Sequence, residues 1–151
     1  YKGFEIRDKA VPYESRSQYM EETDATEKIP EFVYHYMEDI KKMCRENDAD
    51  LLLVSAPSPC NYNYKKHNAL ESYAKENGLP YIDLNMKTEE LGINWKTDSY
   101  DKGDHLNLSG AQKVTAYMAK YLKENYSIPD HRGEKAYQEW EELAKKFRQY
   151  L

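Results

Sequence analysis

The sequence predicts an α/β domain with a parallel sheet covered by helices. Three observations carry that expectation. Apolar residues recur at three- and four-residue spacing in several stretches, which is the signature of helices with one buried stripe. Between two of these stretches and after the second lie short runs of residues that suit strands. The resulting order of helix, strand, helix, strand is that of a layered α/β fold.

The elements follow along the chain. Residues Tyr1 to Ala25 hold Gly3, Pro12 and scattered charges without a sustained period, and are expected to form an arm or connecting segment. A first helix is expected over about Glu27–Asn47, capped by Thr26, with Val33, Met37, Ile40 and Cys44 as its buried stripe. Pro30 fits its first turn, where the absent N–H costs nothing. Leu51-Leu52-Leu53-Val54 is an unbroken apolar run, as in a parallel strand buried on both faces, and Ser55-Ala56-Pro57-Ser58-Pro59 stops it.

A second helix is expected over Tyr64–Asn77, ended by Gly78 in the left-handed position and by Pro80. Tyr81-Ile82-Asp83-Leu84-Asn85 reads as the second strand, and Met86 to Gly103 as a loop. Ser109 is then expected to cap a helix running to about Asn125, with Val114, Met118, Tyr121 and Leu122 on its apolar face. A last helix is expected over Glu134–Tyr150, with Tyr137, Trp140, Leu143, Ala144 and Phe147 on one side, packed across the domain or onto a partner.

Composition narrows the function. Apolar residues make up 40% and charged residues 32%, enough for a folded core. The net charge of -5 is spread without a basic stripe, which argues against nucleic-acid binding. No run approaches the ~18 apolar residues of a membrane helix. The two cysteines, Cys44 and Cys60, make neither a disulfide framework nor a zinc site.

The stretch Asp98-Ser99-Tyr100-Asp101-Lys102-Gly103-Asp104-His105-Leu106-Asn107-Leu108-Ser109-Gly110 carries the chemistry. A histidine stands directly before a capped helix, with acids upstream. A carboxylate on one ring nitrogen fixes the tautomer and stabilises the imidazolium formed when the other nitrogen takes a proton. A serine hydrolase needs such a base. The bland alternative is an Asp-His pair in a solvated turn or cap.

This stretch resembles the last block of the SGNH/GDSL hydrolases, in which an Asp and a His precede the final helix. Asp104-His105-Leu106-Asn107, Ser109-Gly110-Ala111, Lys113 and a helix ending in Tyr121-Leu122 are similar to a bacterial SGNH-type esterase or acyltransferase subgroup. Leu51 to Pro59, Tyr81 to Asn85, and Ile128-Pro129-Asp130-His131-Arg132 before an aromatic helix extend the likeness over most of residues 26–145. The resemblance implies a three-layer α/β/α, flavodoxin-like fold with an incomplete sheet, residues 26–151 being the C-terminal part of such a domain. It implies a Ser-His-Asp triad acting on acyl esters, often on glycans of the cell envelope, with an oxyanion hole of a backbone N–H, a Gly and an Asn. No cofactor is implied. An acylated carbohydrate or another ester is the expected partner, in an extracytoplasmic or membrane-anchored setting.

The sequence departs from that pattern in its nucleophile. It contains no Gly-Asp-Ser, Gly-Ser-Ser or Gly-x-Ser-x-Gly. The serine is therefore expected outside these residues, in a longer protein of which the chain is a piece; a relative without catalysis is the alternative. Ser55, at the end of the first strand, is a candidate for the groove or, less simply, for the nucleophile. Asn61 is a candidate oxyanion or substrate contact, or a turn asparagine. The family places its acid three residues before the histidine, where this chain has Lys102. Asp101 is preferred over Asp104, because adjacent residues in an extended loop point apart. His35, His67 and His131 form no metal-binding spacing, so no metal is expected. His35 is expected on a helix surface, and His131 beside Asp130 and Arg132 as an ion-pair residue. Tyr62, Tyr64, Trp95 and Tyr100 are loop aromatics near the strand ends, able to stack on sugars in a non-catalytic binding module. A helical interaction domain built on residues 134–150, or a homo-oligomer formed through an exposed sheet edge, completes the alternatives.

Overall fold

The structure, a computed structural model, describes residues 5–14 and 19–150. Residues 1–4 and 15–18 of the arm, Gly3 among them, lie outside the described residues. Among the described residues the fold is mixed α/β: four α-helices and a small parallel sheet.

Helix α1 is Glu31–Glu46. It starts four residues later than the apolar spacing predicts, and Pro30, not Thr26, stands at its head. The reason is local: a proline disfavours the helical region for the residue before it, so Ile29 cannot join the helix. Residues 23–27 instead bind the next helix, through Asn68 Nδ2 donating to the Thr23 and Ala25 carbonyls and through Glu27 N–H donating to Lys65 O. Val33, Met37 and Cys44 face inward as expected, but Ile40 is exposed.

Strand β1 is Leu53–Ser55, displaced toward the C-terminus of the expected run. Helix α2, Tyr64–Asn77, has the expected bounds; Asn63 caps it by accepting the Lys66 N–H, and Gly78 ends it at φ 63°. Strand β2 is Tyr81–Asp83, followed by a 3-10 turn over Leu84–Lys87. Asp83 cuts the expected strand short by accepting the Asn85 N–H at 2.8 Å, a local bond that turns the backbone. The strands pair in parallel as Leu53–Tyr81, Val54–Ile82 and Ser55–Asp83, so Ser55 and Asp83 stand side by side at the C-terminal sheet edge.

Helix α3, Leu108–Asn125, is capped by Asn107 rather than Ser109. Its Val114, Tyr117, Met118 and Tyr121 pack against Ile82, Leu84 and Leu91, the buried core. Helix α4 is Gln138–Phe147, shorter than expected, with 3-10 turns at Lys135–Tyr137 and Arg148–Tyr150. No side chain caps its start, and tightened end turns satisfy backbone groups that a longer α-helix would leave open. Trp140 is more than half exposed. Among the described residues no helix is long and apolar enough to cross a membrane.

Candidate functional site

The site is built on the loop between the core and α3. Its base is Asp98, fully buried. Its carboxylate accepts from the Asn94 N–H at 2.7 Å, the Ser109 hydroxyl at 2.8 Å and the Lys113 ammonium at 2.5 Å. Burial alone would raise its pKa; those three donors together hold it below the usual carboxylate range. Ser109 thus serves as a donor to a buried acid, which explains why the cap falls to Asn107. Gly110 lets the helix approach this base, since a Cβ there would lie 2.7 Å from the Asp98 carbonyl oxygen.

From this base the chain leaves and returns. Ser99 and Leu106 form an antiparallel bridge, and Tyr100 N–H donates to His105 O at 3.0 Å. Inside the loop, Gly103 N–H donates to the buried Ser99 Oγ at 2.6 Å. Lys102 at φ 64° and Gly103 at φ 94° make the reversal. That two-residue reversal brings Asp101 back to the residue four positions on.

Asp101 holds His105 twice. Its Oδ2 lies 2.7 Å from His105 Nδ1, and its Oδ1 accepts the His105 backbone N–H at 2.6 Å. Asp104 Oδ2 is farther, at 3.6 Å. The His105 side chain is 70% exposed, and the contact to Asp101 is made by Nδ1 rather than Nε2. The Asp101 hydrogen bond raises the His105 pKa against a smaller effect of burial, and Asp104 adds to the rise. Burial pushes the Asp101 pKa up, but its two bonds to His105 outweigh this and hold it low. Asp104 is occupied otherwise: its Oδ1 accepts from Asn61 Nδ2, and its carbonyl accepts from Ser58 Oγ at 2.8 Å. Donor atoms of Asp101, Asp104 and His105 all lie within 4.8 Å of one another, a grouping that histidine spacing does not reveal. A divalent cation held there would replace the Nδ1 proton and compete with the His-Asp couple.

Two distant segments pin this loop. Cys60 donates its backbone N–H to Gly103 O at 3.2 Å and its thiol to Lys102 O at 2.9 Å. The arm runs alongside: Val11 N–H donates to Ser99 O, Lys102 N–H to Val11 O, and Leu108 N–H to Arg7 O. The described part of the arm is therefore a wall of the site rather than a loose connector.

No family model matches the chain, and no curated protein or solved structure matches it either.

The sequence-derived candidates thus divide. His105, Asp101, Asp104 and Asn61 come together. Ser55 is engaged elsewhere: its hydroxyl lies 2.9 Å from the Tyr81 hydroxyl and 3.2 Å from that of Tyr62, which are 2.7 Å from each other. Burial pushes the Tyr62 phenol up to about 12, so it remains protonated within this group of hydroxyls.

Beside these tyrosines is a couple that motif reading misses. His67 Nδ1 lies 2.8 Å from Asp83 Oδ2, with the two side chains only 12% and 3% exposed. Asp83 Oδ1 accepts from Asn85 Nδ2, and Asn85 in turn accepts from Tyr19 and from the Ser58 N–H. The available signal was positional: His67, Leu70 and Ala74 share the inward stripe of α2, and Asp83 ends a strand. His35 rides a helix surface as expected, near Glu31. His131 bonds Glu134 at 3.0 Å, while Asp130 takes Arg132. Of the loop aromatics, Trp95 packs edge-on against Tyr13 and Tyr19, and Tyr100 lies under Arg7.

Proposed function

We propose that this chain supplies the His-Asp half of an SGNH-type serine esterase or O-acyltransferase acting on acyl esters, those of a cell-envelope glycan being the preferred class. His105 is the general base and then the general acid, Asp101 orients it, and the serine comes from polypeptide outside these 151 residues. In the finer architecture proposed with it, further strands and helices complete a three-layer α/β/α domain.

One observation carries the reading: Asp101 grips both the backbone and the Nδ1 of His105, whose side chain is 70% exposed. Serine Oγ loses its proton to Nε2 as it bonds to the acyl carbon. The resulting imidazolium is stabilised by Asp101, and it returns the proton to the leaving alkoxide. Asn61, bonded to Asp104, stands close enough to the loop to serve a substrate oxygen or to hold the turn.

The test is labelling of the complete, serine-bearing protein with a fluorophosphonate probe. Labelling is expected to fall by about 10²–10⁴-fold in His105→Ala and by less in Asp101→Asn. Labelling that persists at full rate in His105→Ala would overturn the assignment. Labelling of the 151-residue chain itself, abolished by Ser55→Ala, would move the nucleophile to Ser55.

A further inference from the structure

A cleft of about 620 Å³ opens beside the His105 loop, within the ~300–1,000 Å³ range of small-molecule sites. Tyr13, Tyr19, Tyr62 and Tyr64 line it, with Pro59 between. Its wall toward the candidate site is direct. A Cβ on Gly103 would meet the Tyr13 ring at 2.7 Å and Pro59 at 2.9 Å, so the cleft and the His105 loop share this contact.

The rings are held in place. Tyr19 and Tyr62 spend their hydroxyls on Asn85 and on the Ser55–Tyr81 pair, which fixes both rings. Trp95 stands edge-on to Tyr13 and Tyr19, with centroids 6.2 Å and 5.8 Å away. Fixed aromatic carbon suits the C–H face of a sugar ring, and a rim of polar acceptors suits its hydroxyls.

The rim also has a sign. Among the described residues, Glu21, Glu22 and Glu27 line the cleft with Lys65, and Lys66 Nζ lies 4.0 Å from Glu27 Oε1. With Glu27 paired to Lys66, Glu21 and Glu22 against Lys65 leave an acidic excess that repels an anionic ligand and admits one that is uncharged or carries an amine.

We propose that this cleft is a carbohydrate subsite for sugars without negative charge, holding an ester-bearing glycan beside His105. What the sugar carries rests on the acyl-ester reading; the binding itself does not.

The experiment is calorimetry on the 151-residue chain with three tetrasaccharide probes: N-acetylglucosamine, glucosamine and galacturonate. Trp95 fluorescence, in a Trp140→Phe background, follows the same titrations. Saturable binding of an uncharged or amine-bearing tetramer is expected, with a change in Trp95 emission and none for galacturonate. Tyr64→Ala should weaken binding about tenfold through the lost ring. His105→Ala should leave binding intact, so a complete, serine-bearing protein that binds sugar but shows no His105-dependent fluorophosphonate labelling would sink the acyl-ester reading and spare the subsite. Glu21→Lys with Glu22→Lys should admit galacturonate. The proposal is wrong if none of the tetramers binds, if galacturonate binds the parent chain as tightly as the others, or if Tyr64→Ala changes nothing.

Discussion

His105 has two acids within reach, and backbone geometry decides between them. The left-handed pair Lys102-Gly103 folds Asp101 back onto both the ring and the amide of His105, while Asp104 turns toward Asn61. The raised His105 pKa follows from Asp101, so the imidazolium persists to higher pH than in a free histidine. An NMR titration of this chain is expected to show His105 titrating above an ordinary imidazole, and Asp101→Asn should bring it down. A His105 pKa unmoved by that substitution would mean that the couple does not form in solution. The linkage has a matching sign. Because the folded pKa is raised, the stability His105 contributes is full at acidic pH and is lost as pH rises through that raised value. For a base, the consequence is opposite: activity needs the neutral ring, so the acidic limb of the rate profile moves to lower pH in Asp101→Asn.

At the scale of elements, the loop over residues 98–108 is closed from four sides: by the Asp98 base, by the Ser99–Leu106 bridge, by Cys60 and by the arm. Gly103 sits where these meet. Its φ of 94° and the 2.7 Å and 2.9 Å approaches of Tyr13 and Pro59 both exclude a side chain. Gly103→Ala is therefore expected to destabilise the fold by ~1–3 kcal/mol in thermal or urea unfolding, and to shift the His105 ring resonances. Wild-type stability with an unaltered His105 spectrum would show that the contact is dispensable. The same argument explains why the arm carries no periodic signal. Its backbone bonds the loop over only a few residues, too few for an apolar alternation to develop.

For the whole molecule, a parallel sheet of two short strands has little core of its own. It relies on α3 and on Leu84 and Leu91, which form the core with Ile82 of β2. Helix α1 carries a second apolar stripe, Phe32, Tyr36, Ile40 and Met43, that faces outward among the described residues. Two substitutions separate the faces. Leu84→Ala, at a side chain 1% exposed, should cost ~2–5 kcal/mol. Ile40→Ala, at one 49% exposed, should cost within about 0.5 kcal/mol in unfolding measured at low protein concentration. A large loss at Ile40 would mean that the stripe is covered in solution.

The sequence by itself determined the α/β alternation, the bounds of α2 and the end of α3 at Asn125. These are local matters of spacing, caps and turn residues. It placed Asp101 with His105 by a local argument too, since the two are separated by a single reversal. Tertiary structure alone brought Asn61 to Asp104, Cys60 and Val11 to Lys102, and His67 to Asp83. It also made Ser109 a partner of a buried acid instead of a cap. Contacts between residues far apart along the chain depend on how whole elements pack, and the period of any single segment carries no record of them.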